Sequence, residues 1–330
     1  MAFACRLCGK SDYLSFFDAR EMMFGTREVF RYAECRQCEV LQIVDIPEPD
    51  KFYPPDYYSL SGQSVSVLEE KFIRRLAARQ IGEFLFGKRR FPGNLLARIR
   101  PQIAEHFPQW LLPLRGRIDF SSRILDYGCG RGKLLRELQI FGFRNLVGAD
   151  KFIDKEIKTK NFAIYKCGFE RLEAGFDLIM LHHSFEHLPD PRTALNEIKR
   201  LLNPDGIALI RMPVLNPAWT KYRTDWVQLD PPRHLFIFSE AGFRRLAENS
   251  GFVVENVVFD STAFQFYASE QYRMDIAQNE PDAFRGTYEN SIFSKSQIEE
   301  WEREARRLND LGQGDQACFY LTANQLQAAN

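Results

Sequence analysis

No stretch of this 330-residue chain approaches the ~18 consecutive apolar residues needed to span a bilayer, and no hydrophobic signal core opens it. A membrane span and a secretory leader are therefore not expected, and we expect a cytoplasmic protein. Net charge is also missing: 44 Lys+Arg balance 44 Asp+Glu. Without a global basic field, a nucleic-acid partner is disfavoured, although a local patch stays open. Histidine is scarce at five residues, so the crowding of four of them into two short segments carries information. What is present is 45% hydrophobic and 27% charged residues, the balance of a globular protein. The length suits one α/β domain of ordinary size with a smaller appendage. Nothing in the chain specifies an oligomeric state.

The stretch Ile124-Leu125-Asp126-Tyr127-Gly128-Cys129-Gly130-Arg131-Gly132 reads as an apolar strand entering an acidic, glycine-rich loop and then a helix. Glycines at alternate positions let a backbone turn tightly and approach a ligand, because a Cβ would clash or forbid positive φ. A dinucleotide fingerprint needs a third small residue where this chain has Lys133, so that pattern fails. A second acid, Asp150, closes the short apolar run Asn145-Leu146-Val147-Gly148-Ala149, the place where a nucleoside cofactor's ribose is held in such folds.

Four of the seven cysteines form two equally spaced pairs, Cys5-Arg6-Leu7-Cys8 and Cys35-Arg36-Gln37-Cys38. Two such knuckles can supply four thiolates to one tetrahedral zinc, a closed and therefore structural site. Disulfides are disfavoured in a reducing compartment. The metal ligands expected are Cys5, Cys8, Cys35 and Cys38.

From Ile124 onward strand and helix alternate, which specifies a doubly wound, mostly parallel sheet. Strands are expected at 162–165, 176–181, 207–212, 252–259 and 317–322, with helices opened by Asp190-Pro191 and capped by Ser294 or Ser296. Leu134, Leu135 and Leu138 should face the sheet. We divide the chain into a zinc-binding module (1–62), a helical linker or cap (63–120) and a catalytic domain (121–330) with substrate-loop insertions at 213–238 and 261–293. The module ends in an extended exit with Tyr53, Tyr57 and Tyr58, suited equally to packing or substrate contact. In the cap, Leu68, Phe72 and Leu76 recur at helical spacing among Arg74, Arg75, Arg79, Arg89 and Arg90. Trp110-Leu111-Leu112 beside arginines would suit a membrane-surface helix, but a solvated cap fits better.

The pattern Asp-x-Gly-x-Gly-x-Gly at Asp126 resembles motif I of the class I S-adenosylmethionine (SAM)-dependent methyltransferases. Glu186-His187-Leu188-Pro189-Asp190-Pro191 resembles a signature of the same family. The N-terminal cysteine pairs, followed by Val40-Leu41-Gln42 and Asp56-Tyr57-Tyr58-Ser59, resemble the zinc-binding region of bacterial sugar C-methyltransferases and of relatives from polysaccharide and secondary-metabolite clusters. The resemblance implies a Rossmann-like seven-stranded methyltransferase sheet preceded by a small zinc-ribbon-like module and a helical cap. It implies SAM as cofactor, held by Asp126, Tyr127, Gly128, Cys129, Gly130, Gly132, Asp150, Lys151, Gly168, Phe169 and His182, with Asp150 taking the ribose hydroxyls. Relatives often place an acid after the third strand to contact adenine. This chain has Gly168 there, so either amides around Gly168 and Phe169 or the carboxylate of Glu170 would serve.

Methyl transfer from a sulfonium needs in-line alignment and removal of the acceptor's proton, and imidazole has a suitable intrinsic pKa. The base candidates are His183 and His187, with Glu186 and His234 behind them; helix capping is the competing role for Glu186 and His187. Arg223, Arg233 and Arg273 in the aromatic late loops could bind phosphate of a nucleotide sugar or lipid diphosphate, or form surface pairs. The expected function is methyl transfer to a small-molecule or glycan-type acceptor. An RNA base methyltransferase with a zinc module and a non-catalytic SAM-binding scaffold remain alternatives.

Overall fold

The computed structural model describes residues 3–48, 52, 72–87, 90–159, 161–288 and 291–324. The exit segment with Tyr53, Tyr57 and Tyr58, and also Leu68 and Arg89 of the cap, lie outside the described residues.

In chain order the elements are β1 (Leu14–Arg20), β2 (Val29–Cys35), β3 (Val40–Ile43), α1 (Phe72–Leu85), α2 (Gly93–Ile99), α3 (Pro101–Glu105), β4 (Arg123–Tyr127) and α4 (Lys133–Phe141). There follow β5 (Asn145–Ala149), β6 (Ile157–Lys158), β7 (Phe162–Tyr165), β8 (Phe176–His182), α5 (Pro191–Leu201), β9 (Leu202–Pro213) and α6 (Pro217–Tyr222). The chain ends with β10 (Phe236–Phe238), α7 (Glu240–Asn249), β11 (Phe252–Phe259), α8 (Phe264–Arg273), α9 (Lys295–Asp310) and β12 (Gln316–Ala323). One sheet has eight strands in the order β11-β12-β9-β8-β4-β5-β7-β6. The eighth, where seven were expected, is the two-residue β6, antiparallel to β7 and too short to show a periodic pattern. The second sheet is four-stranded, β1-β2-β3-β10.

Contacts divide the chain into two units. Unit 2 comprises Tyr53–His182, Thr193–Ile210 and Tyr320–Asn330. At its centre β4 runs parallel to β5 and β8, with Asp126 opposite Gly148 on one side and Met180 on the other. A strand flanked on both sides must be apolar on both faces, and Ile124, Leu125, Leu178, Ile179 and Met180 are all completely buried. Helix α4 packs Leu135, Leu138 and Phe141 into this core. Leu134, expected to join them, is half-buried, because its position falls at the edge of the helix's apolar stripe. Strand β9 begins at Leu202, five residues before the expected start. Asn203 is tied to Asp177 through a 2.7 Å side-chain hydrogen bond, and Gly206 sits where a Cβ would come within 2.8 Å of the Phe176 carbonyl oxygen. These contacts keep the expected turn residues against the sheet.

Unit 1 comprises Met1–Phe52, His183–Arg192 and Arg211–Phe319. Its small sheet is not made from the N-terminal stretch alone: β10 pairs antiparallel with β3, Phe236 opposite Gln42 and Phe238 opposite Val40. Every residue of β3 and β10 is buried. The late segments form a satellite core of Ala263, Phe284, Phe293 and Ile298 with Tyr267 and Trp301 against it. Helix α9 starts in a capping box, Ser294 accepting from the Gln297 amide while the Gln297 side chain accepts from the Ser294 amide. Among the described residues, no helix is long and apolar enough to cross a membrane.

Candidate functional site

Within unit 2 the glycine loop follows β4 directly. Gly128, Gly130 and Gly132 have φ of 76°, 51° and 76°, the left-handed region that glycine enters without steric cost. At Gly132 a Cβ would lie 2.4 Å from Ile164 Cδ1, so packing as well as conformation demands glycine. Asp150, at the end of β5, receives the Gly130 amide on Oδ2 at 2.9 Å and the Phe152 amide on Oδ1 at 2.8 Å. Burial raises the Asp150 pKa against these two amides. Asp126 is 3% exposed, and burial, reinforced by the Asp150 charge, pushes its carboxyl up to about 7.

The rest of the expected cofactor set lies around this loop. Tyr127 stacks on Phe169 with ring centroids 3.6 Å apart and planes within 4°. Gly168 is crossed by Lys151, whose Cε would be 2.3 Å from a Cβ there. Cys129 is a thiol kept protonated by burial and the nearby acids. His182 ends β8 with its ring 4.3 Å from that of Trp110.

In unit 1 the two cysteine pairs converge. Cys5 Sγ lies 3.8 Å from Cys38 Sγ, and Cys8 Sγ 3.9 Å from Cys35 Sγ; all four sulfurs fall within 4.8 Å of one another. With Zn–S bonds of about 2.3 Å, a tetrahedron has S···S edges of about 3.8 Å, so this spacing fits a four-thiolate metal site and is far too long for disulfides. Gln42 Nε2 donates to Cys5 Sγ at 3.1 Å, an outer-sphere hydrogen bond of the kind that orients a metal ligand.

The four base candidates are also brought together in unit 1. His183 has a positive φ of 50°, and its amide donates to the Arg211 carbonyl at 2.8 Å. Arg211 Nη1 donates to His183 Nε2 at 3.0 Å, which leaves the proton on Nδ1, 3.4 Å from Glu186 Oε1. Glu186 is completely buried, and His234 Nε2 lies 3.8 Å from its Oε1. Burial would raise the Glu186 pKa, but the three histidines outweigh it and hold the carboxylate well below its ordinary value. Burial, with the charge of His234 next, pushes His187 down to about 4, so it is neutral near pH 7.

Several aromatic side chains of the late loops form core. Trp219, Tyr222, Trp226 and Tyr272 are at most 3% exposed. Arg233, considered above for phosphate, is buried between Asp230 at 2.5 Å and Glu21 at 2.9 Å. Arg223 lies over Phe17 and Trp219, and Arg273 over Tyr222. Sequence reasoning missed Arg211 and its anchor Asp260, 2.7 Å away. The available signal was a charged residue, Arg211, inside the apolar run Ile207–Met212 at the carboxyl end of a strand.

The family described as methyltransferase domain matches residues 75–257, more than half of the chain. An uncharacterized methyltransferase from Schizosaccharomyces pombe is 33% identical over a stretch covering 26% of this chain and 38% of that protein. The chain thus spans well under half the length of this curated relative. Among solved structures, the geranyl diphosphate C-methyltransferase from Streptomyces coelicolor matches at 15% identity and a TM-score of 0.43, over 72% of this chain and 88% of that one. The cyclopropane synthase MmaA2 from Mycobacterium tuberculosis matches at 16% identity and a TM-score of 0.40, over 76% and 98%.

Proposed function

Because the chain belongs to the methyltransferase domain family, we propose that it is a SAM-dependent enzyme transferring a methyl group to a small-molecule or glycan-type acceptor, such as a nucleotide sugar. The observation that carries this reading is the coupling of the glycine loop to Asp150: three glycines at positive φ, with the Gly130 amide on the Asp150 carboxylate. An acid in that position can exchange one main-chain donor for the two hydroxyls of a ribose, and a loop of three glycines at positive φ lets the amino-acid end of the cofactor approach the backbone closely. Asp126, Tyr127, Gly128, Cys129, Gly132, Lys151, Gly168, Phe169 and His182 complete the proposed cofactor set.

When bound, SAM supplies an electrophilic methyl on a positively charged sulfur. The acceptor atom attacks that carbon, the C–S bond breaks to give a neutral thioether, and the acceptor gives up a proton. We assign the handling of that proton to the group formed by His183, Glu186, His187 and His234. Arg211 orients His183 in this group through its hydrogen bond to Nε2.

The four cysteines are proposed to hold one structural zinc, on the strength of their tetrahedral edge lengths. Four thiolates leave no open position, so this metal holds the N-terminal strands together and takes no part in transfer. Thiolates of this kind persist in a reducing compartment, in keeping with a cytoplasmic setting. Transfer of labelled methyl from SAM to a panel of nucleotide sugars, with ribosomal RNA in parallel, tests the acceptor class. Label in a sugar supports the reading, and label in RNA alone overturns it.

A further inference from the structure

The Glu186 carboxylate is completely shielded from solvent, and neither of its oxygens accepts a hydrogen bond. His183 Nδ1 at 3.4 Å and His234 Nε2 at 3.8 Å are in ion-pair range but outside hydrogen-bond geometry. A buried carboxylate left in this state is costly unless a cation neutralises it. Two imidazoles stand beside it, the rings of His187 and His234 meeting edge to face with centroids 4.9 Å apart. Each is fixed through Nδ1 to a main-chain carbonyl: His187 donates to Arg233 O at 2.8 Å, and His234 to Gln228 O at 2.7 Å. A carbonyl on Nδ1 selects the tautomer whose lone pair is on Nε2, the arrangement that metal-binding histidines share. One ligand atom from each of Glu186, His187 and His234 lies within 4.8 Å of the other two.

The neighbouring groups are committed elsewhere. Asp230 Oδ2 is 3.8 Å from His234 Nε2, but that carboxylate is held by Arg233. His183 receives Arg211 on Nε2, so its Nδ1–H points at Glu186 as an outer partner and not as a ligand.

We propose that Glu186, His187 and His234 form a second metal site, separate from the four cysteines, that binds one divalent first-row transition cation such as Zn²⁺ or Mn²⁺. One carboxylate oxygen and two imidazole nitrogens suit these ions, whereas Ca²⁺ and Mg²⁺ favour all-oxygen sites. Metal–ligand bonds of about 2.0–2.2 Å require the three donors to draw slightly together on binding. Three protein ligands leave coordination positions for water or an oxygen-bearing ligand, in contrast to the closed cysteine site. The proposal does not depend on methyl transfer, since all three ligands lie in unit 1 and the test reads metal; in the metal-bound protein these three side chains are ligands, and their proton-handling role belongs to the metal-free form.

Mn²⁺ separates the two sites, because it binds oxygen and imidazole donors but competes poorly for thiolates. Protein carrying its cysteine-bound zinc would be cleared of loosely held metal and titrated with Mn²⁺, free ion being followed by electron paramagnetic resonance. The wild type should bind one Mn²⁺ per chain. Glu186→Gln, of the same shape, should weaken that binding at least ~100-fold with its circular dichroism unchanged. His234→Gln is the second variant, and if neither folds, total zinc in saturated wild-type protein decides, at two per chain for the proposal and one against it. Failure of the folded wild type to bind Mn²⁺ or a second zinc, or undiminished binding by folded Glu186→Gln, overturns the proposal.

Discussion

Replacing Asp126 by Asn should make the cofactor-free protein more stable, and increasingly so as pH rises. Asp126 sits in the central strand β4 at 3% exposure, and its carboxyl is pushed from 3.8 up to about 7, by burial first and by the Asp150 charge second. A carboxyl whose folded pKa exceeds its unfolded value favours the fold in its protonated form. That contribution is complete below about pH 4 and is lost as pH rises through 7. Each pH unit in this window is worth about 1.4 kcal/mol per proton, so the wild type loses on the order of 4 kcal/mol between pH 4 and pH 8. Asn keeps the shape and has no proton to lose. Urea unfolding of both proteins at several pH values between 5 and 8.5 reads the difference. Subtracting one curve from the other removes the titration common to both, such as that of Asp315, whose carboxyl burial pushes up to about 6. The stability of Asp126→Asn relative to wild type should climb by at least about 2 kcal/mol across this range and level off above pH 8. A difference constant with pH would refute the assignment of a buried, strongly perturbed acid.

Gly132→Ala should lose ~1–3 kcal/mol of stability and weaken SAM binding, since it meets both a φ of 76° and a contact of 2.4 Å with Ile164; thermal melts and cofactor titration check both effects. Arg233→Met should cost ~3–5 kcal/mol, because it leaves Glu21 and Asp230 without their buried counter-ion, and denaturant midpoints would show it. Chelation of the metal proposed at the four cysteines, or Cys35→Ser, should melt the β1-β2-β3-β10 sheet, seen as lost amide protection at Val40–Ile43, while β4 and β5 stay protected.

The parts of the fold legible in the sequence are those specified by local chemistry. The loop after β4 is marked by alternate glycines, all three at positive φ, β11 by a β-branched run bounded by Gly251, and α9 by Ser294 three residues before Gln297. The cysteine pairs announced their own convergence, because only long-range closure of the β1–β3 segment can serve four thiolates. What stayed hidden depends on partners remote in sequence. Phe236-Ile237-Phe238 is three residues long and becomes a strand only because β3 offers its edge. The burial of Arg233 is unreadable without Glu21, a position 212 residues away. The histidine segments were legible as chemistry, but the orphaned carboxylate between them became visible only in three dimensions.

A SAM site built on the glycine loop and Asp150 underlies the proposed activity. Isothermal titration of wild-type protein and of Asp150→Ala with SAM examines that site alone. The wild type should show one site of micromolar affinity, weakened at least ~30-fold in the variant while both proteins remain folded, as expected when hydrogen bonds to a charged partner are lost. Absence of binding by folded wild-type protein, or equal affinity in the two, would contradict it.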